Sequence, residues 1–183
     1  MNTRAFDPRS VDVAAFAKQT GAESGAWLLA SLPRLCGEAQ ADVSPDTAAQ
    51  IQWRARGETR ARRGAEPAVW LHVESDALVS LVCQRCLQPV DTYLEVRRSF
   101  QFAADEPQAA AIDADSEDDV LVITRTLNLI ELIEDELLLA LPLVPRHDTC
   151  PQPLTARDDM PPLDAPTHPF AALGALKRGG ALD

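Results

Sequence analysis

The chain has 183 residues, 46% of them hydrophobic, which suits one domain with a real core and argues against disorder throughout. A formal net charge of -11 argues against broad adhesion to bare nucleic acid or anionic membrane, and aromatics at 5% leave little for a base-stacking platform. The charge is uneven, however: residues 50–100 hold eight Arg against six Asp and Glu, so an acidic protein can still carry a local anion site in its middle.

In chain order, "SVDVAAFAKQ" (10–19) follows Ser10 as a possible N-cap and has helical spacing at Val13, Phe16 and Ala17. "WLLASLPRLCGEA" (27–39) mixes an extended piece with a turn of helix after Pro33. From about residue 49 the period becomes two. Ile51, Trp53 and Ala55 alternate with Gln52, Arg54 and Arg56, the pattern of a half-buried strand. "AVWLHVE", "ALVSLVC" and "VDTYLEVRRSFQF" repeat the pattern, so four strands joined by short turns predict an antiparallel meander. "AADEPQAAAIDADSEDD" (103–119) is acidic, small and aperiodic, and predicts a mobile loop. "VLVIT" is a candidate further strand. "NLIELIEDELLLALP" (128–142) is the best helix: Asn128 caps it, Glu131 completes a capping box, and Pro142 stops it. Its apolar face comprises Leu129, Ile130, Ile133, Leu137 and Leu141. Residues 151–183 form a proline-rich linker and a short apolar tail.

The expected architecture is α+β: an antiparallel β-meander packed on the long helix, with a mobile acidic loop and a proline-rich C-terminal tail. Residues 1–48 form a helical and extended segment packing on the core domain, 49–150. No N-terminal run resembles a signal peptide, and "LLLALPLV" is too short to span a bilayer and contains Pro142. A cytoplasmic, reducing setting is expected, with free thiols. The chain has no Walker-type glycine loop, no G-x-S-x-G and no H-E-x-x-H, and no small-molecule substrate is expected.

The chemistry concentrates in "CQRCLQP" (83–89). Cys83 and Cys86 can share one tetrahedral zinc, since a two-residue turn points both sulfurs inward. His147 and Cys150, in "HDTC", have the same spacing and can complete the site as a structural zinc centre. The alternative is a hairpin tip with two semi-buried thiols and no metal. A redox pair needs a helix N-terminus to lower a thiol pKa, and here the pair lies between strands, with Pro89 following. A cysteine hydrolase needs a base oriented by a third group, and His147 is the one plausible base. Cys36 is expected to be a buried small hydrophobe.

Arg54, Arg56, Arg60 and Arg62 all hold even positions of one strand, so they share a face at about 6.6 Å spacing. That matches the phosphate repeat of an extended single strand and suggests RNA-backbone contact. The same pattern also suits a solvated face on a half-exposed strand. Arg85, Arg97 and Arg98 would enlarge the patch if the sheet brought them near.

"LVCQRCLQPV", "EDELLLALPLVPRHDTC" and "HPFAALGALK", in this order, resemble the YceD family, the large ribosomal RNA subunit accumulation proteins. The Arg stripe and the first 45 residues carry no motif of it, and His168 stands before Pro169 where Asn or Arg is expected. The resemblance implies a cytoplasmic, non-enzymatic factor in the synthesis, processing or stability of large-subunit (23S) ribosomal RNA. It would act by binding pre-ribosomal RNA or a ribosomal protein: the arginines Arg54, Arg56, Arg60, Arg62 and Arg85 favour that RNA or its precursor, and the acidic charge favours a basic large-subunit ribosomal protein. The competing readings are a cysteine-dependent oxidoreductase or hydrolase and a small zinc-binding adaptor.

Overall fold

The computed structural model describes residues 6–39 and 50–151. They form an α+β protein around one five-stranded sheet in the order β1-β2-β3-β4-β5. Strands β1 (Ala22–Leu28), β2 (Gln50–Arg62), β3 (Ala65–Val82) and β4 (Pro89–Ala103) each run antiparallel to the next. The fifth strand, β5 (Asp119–Val122), pairs parallel to β4. The sheet is therefore mixed: the expected meander covers β2 to β4, with β1 an added antiparallel edge strand and β5 an added parallel one.

Two of the expected strands are one. β3 runs without a break through Glu74-Ser75-Asp76, whose polarity resembles a turn. Alternation survives there because Ser75 is buried in phase with Val73 and Ala77, and its hydroxyl donates to the Gln52 carbonyl at 2.8 Å. β1 begins earlier than the extended piece expected near Trp27, and it pairs along its whole length with β2.

The expected acidic loop, 103–119, contains a helix. A parallel neighbour needs a crossover of a dozen or more residues, and α3 (Glu106–Asp113) lies within it. Its start is well specified: Asp105 accepts from the Gln108 N–H at 2.9 Å, and Pro107 sits in the first turn.

The other helices are α1 (Val13–Lys18), α2 (Pro33–Glu38) and α4 (Leu129–Leu139). Asp12, not Ser10, caps α1, accepting from the Ala15 N–H at 3.0 Å. α1 lies close on β2 at Gly57, where a Cβ would come within 2.7 Å of the Ala17 Cα. Asn128 caps α4 as expected, accepting from the N–H groups of Ile130 and Glu131. The helix is 11 residues and ends at Leu139, before Leu141. Leu129, Ile130, Ile133 and Leu137 bury against the sheet core with Val79, Leu81, Leu94, Phe100 and Phe102.

Glu134, a carboxylate on that buried side, is 2% exposed. It accepts from the backbone N–H groups of Arg34 (2.7 Å) and Leu35 (3.2 Å) and from the Arg34 guanidinium. It thus caps α2, whose own N-cap residue, Leu32, has no side chain able to do so. The buried charge is tolerated because the acceptor oxygens are used. Cys36, on α2, is exposed rather than buried, because the short helix turns Leu35 to the core and Cys36 away from it. The tail from residue 152 lies outside the described residues, as does the stretch 40–49.

Candidate metal centre and nucleic-acid interface

The β3–β4 hairpin ends in a tight tip. The Cys83 N–H donates to the Gln88 carbonyl at 2.9 Å, and the Leu87 N–H donates back to the Cys83 carbonyl at 2.8 Å. Leu87 takes the left-handed conformation (φ 60°) that lets the chain reverse before Pro89 opens β4. This closure buries both cysteines.

After α4 the chain passes Pro142 and Pro145 and returns to the tip. The Gln84 N–H donates to the Pro145 carbonyl at 2.8 Å, which seats the returning segment. His147 and Cys150 arrive beside Cys83 and Cys86. One potential ligand atom from each of the four lies within 4.8 Å of every other. The Cys83 and Cys150 sulfurs are 3.9 Å apart, and the Cys86 sulfur is 3.4 Å from His147 Nδ1. A tetrahedral zinc with ordinary Zn–S and Zn–N bonds sets sulfurs about 3.8 Å apart and sulfur and nitrogen about 3.5 Å apart. The donor set fits such an ion in number and type, and the 3.9 Å and 3.4 Å distances match its edges.

The histidine is oriented for that role. Its Nε2 lies 2.8 Å from the Pro89 carbonyl, an acceptor only, so Nε2 carries the proton and donates. Nδ1 is left with its lone pair toward Cys86, as in metal-ligating histidines whose other nitrogen donates to a carbonyl. Burial opposes ionisation of the Cys83 thiol. The backbone N–H groups of His147, Arg85 and Cys86 more than reverse this and hold it at about 5. Burial pushes the Cys86 thiol up. The tip lies between two strands and begins no helix.

The arginines lie elsewhere. Arg54, Arg56, Arg60 and Arg62 are exposed on β2. A register irregularity between Arg60 and Arg62 interrupts the regular alternation, so Arg62 does not simply continue the row. Acidic neighbours are interleaved with the others. Arg54 lies 3.9 Å from Glu74, Arg56 lies 3.8 Å from Glu58, and Arg60 lies 3.1 Å from Glu58. Arg60 also covers the Trp70 ring at 4.1 Å. The Arg60 guanidinium and His72 hold the Glu58 carboxyl down at about 2.

Register places Arg97 opposite Glu74, and Glu74 opposite Arg54, across three strands. An open groove of about 460 Å³ runs over this face, lined by Arg54, Arg56, His72, Glu74, Arg97 and Ser99. Arg98 leaves the patch: it pairs with Asp119 and, at 3.1 Å, with Glu136 of α4. Arg85 does not join either. It belongs to the hairpin tip, where its guanidinium meets Cys150 and the carbonyls of His147 and Asp148. The charge of Arg85 suggests RNA in the sequence, but in the structure its guanidinium is engaged by the His147–Cys150 segment.

These features define an α+β protein with a Cys3His cluster where a hairpin tip meets the segment after α4, and an arginine-bearing sheet face. The family model described as "Large ribosomal RNA subunit accumulation protein YceD" matches residues 71–177, more than half of the chain. The chain belongs to the YceD family. A curated relative from Haemophilus influenzae, named "Large ribosomal RNA subunit accumulation protein YceD", is 33% identical over 105 residues. That alignment covers 55% of this chain and 60% of the relative. No solved structure matches. The family match contains all four potential ligands and excludes Arg54, Arg56, Arg60 and Arg62. No helix among the described residues is long and apolar enough to cross a membrane.

Proposed function

We propose that this protein is a non-enzymatic binding factor that acts in the cytoplasm to support accumulation of large-subunit ribosomal RNA. The observation that carries this reading is the family match over residues 71–177, spanning the hairpin tip, α4 and the four clustered donors. Cys83, Cys86, His147 and Cys150 hold one structural zinc that fastens the tip to the returning segment. Spacing, a fixed histidine tautomer and a closed donor set support this.

Arg54, Arg56, Arg60 and Arg62 contact the phosphates of the RNA or its precursor. Exposed ion pairs such as Arg54–Glu74 are individually weak, so a phosphate can displace the carboxylate. Such contacts position the RNA with little sequence preference. The net charge of -11 and the exposed Glu131 and Asp135 on α4 favour a second contact with a basic large-subunit ribosomal protein.

The test is the ratio of large- to small-subunit rRNA in a strain lacking the protein. The ratio falls, and expression of the intact chain restores it. A normal ratio with normal subunit profiles would contradict the role.

A further inference from the structure

Arg85 lies between the two cysteines of the tip, yet its guanidinium serves the other pair of donors. Nε donates to the Cys150 sulfur at 2.9 Å. One terminal nitrogen donates to the carbonyls of His147, at 2.7 Å, and Asp148, at 3.1 Å. These three acceptors belong to the short turn that carries His147 and Cys150. A planar fork can engage them together, whereas an ammonium offers a point charge without that geometry.

Two further facts make this contact consequential. Cys150 is the least buried of the three clustered cysteines, so it is the one solvent or a competing chelator reaches first. Three thiolates and a neutral imidazole around a divalent ion also leave one surplus negative charge. In a chain of net charge -11, a guanidinium held against a ligand sulfur offsets that charge where it arises.

We propose that Arg85 is the positioning residue of the metal centre: it clasps the His147–Cys150 turn from outside the coordination sphere and offsets the surplus charge of the site. This rests on the metal reading of the four donors. Loss of an outer-shell partner of a metal ligand typically costs about 10- to 100-fold in metal affinity, and that range is expected here.

The test uses the full chain, intact and as Arg85→Met and Arg85→Lys. Zinc affinity is read by competition with a chromophoric chelator, and the ligand field by cobalt(II) absorption. Arg85→Met lowers zinc affinity by about 10- to 100-fold. Its sulfur-to-cobalt charge-transfer band moves to longer wavelength, because a thiolate relieved of an N–H donor gives up its electrons more readily. Arg85→Lys keeps the charge without the fork and falls between the two. A Met variant that binds zinc within about twofold of the intact chain, with an unmoved band, overturns the clasp. If Arg85→Met does not fold, the Lys variant decides, since affinity and band equal to the intact chain would overturn it equally. If the intact chain binds neither zinc nor cobalt, the metal reading fails and the role of Arg85 fails with it. That outcome is distinct from normal metal binding that is indifferent to Arg85.

Discussion

The hairpin tip and the arginine face are built in opposite ways. At the tip, scarce residues far apart in the chain converge: Cys83 and Cys150 lie 67 positions apart and 3.9 Å from each other. On the sheet face, four arginines of a single strand stay spread, and neighbouring strands place Glu74 and Arg97 beside them. Convergence of three thiols and an imidazole has few purposes besides holding a soft cation. Periodic charge on an exposed strand follows from alternation itself, and its partners can balance it. The tip therefore specifies its ligand more narrowly than the face does.

Metal removal tests that contrast most strongly. With free zinc at about 1,000 times its Kd, binding adds about 4 kcal/mol to stability. Chelation should lower the melting temperature of the intact chain, and Cys83→Ser with Cys86→Ser should abolish that response. A melting temperature indifferent to chelator would reduce the tip to a metal-free turn. Elemental analysis should find one zinc per chain in protein purified without added metal.

The next effect tests the cap that α4 supplies to α2. Glu134→Ala leaves the Arg34 and Leu35 N–H groups without their acceptor and should cost about 1–3 kcal/mol in urea denaturation. A loss below about 0.5 kcal/mol would mean that α2 is capped by other means or contributes little to stability.

The smallest effect lies on the arginine face. Glu58 has its carboxyl lowered from 4.5 to about 2, first by the Arg60 hydrogen bond and then by His72. A carboxylate whose folded pKa is depressed stabilises the fold above its unfolded pKa. It loses that contribution as pH falls toward the folded value. The intact chain should therefore lose stability between about pH 4.5 and pH 2 more steeply than Glu58→Gln does. Parallel acid titrations of the two would remove the Arg60–Glu58–His72 linkage from the account.

Much of the tip was legible in the sequence because each ligand pair is local: C-x-x-C and H-x-x-C declare themselves by spacing, and "NLIELIEDELLL" declares the helix between them. The first four strands were legible in part. Alternation marks β2 and β4, while a polar Glu-Ser-Asp stretch disguised β3 as two strands. β1 has almost no pattern to read, since nearly every residue of this edge strand is exposed. α3 was hidden because small and acidic residues give it little amphipathic contrast, though Asp105 and Pro107 were available as a start signal. Glu134 was beyond sequence reasoning, since its partners lie 99 and 100 positions away. Arg85 shows its charge in the sequence, but its partners lie 62 to 65 residues later in the chain.

In the proposed function the arginine face contacts ribosomal RNA through phosphates. The direct measurement is the salt dependence of binding to a single-stranded segment of large-subunit precursor rRNA. It compares the intact chain with a variant in which Arg54, Arg56, Arg60 and Arg62 are Ala. Four lost phosphate contacts should flatten the slope of log K against log salt by about 2.8 and weaken binding alike for unrelated sequences. An unchanged slope in the quadruple variant would contradict the account and leave the face as a charge-balanced, solvated surface.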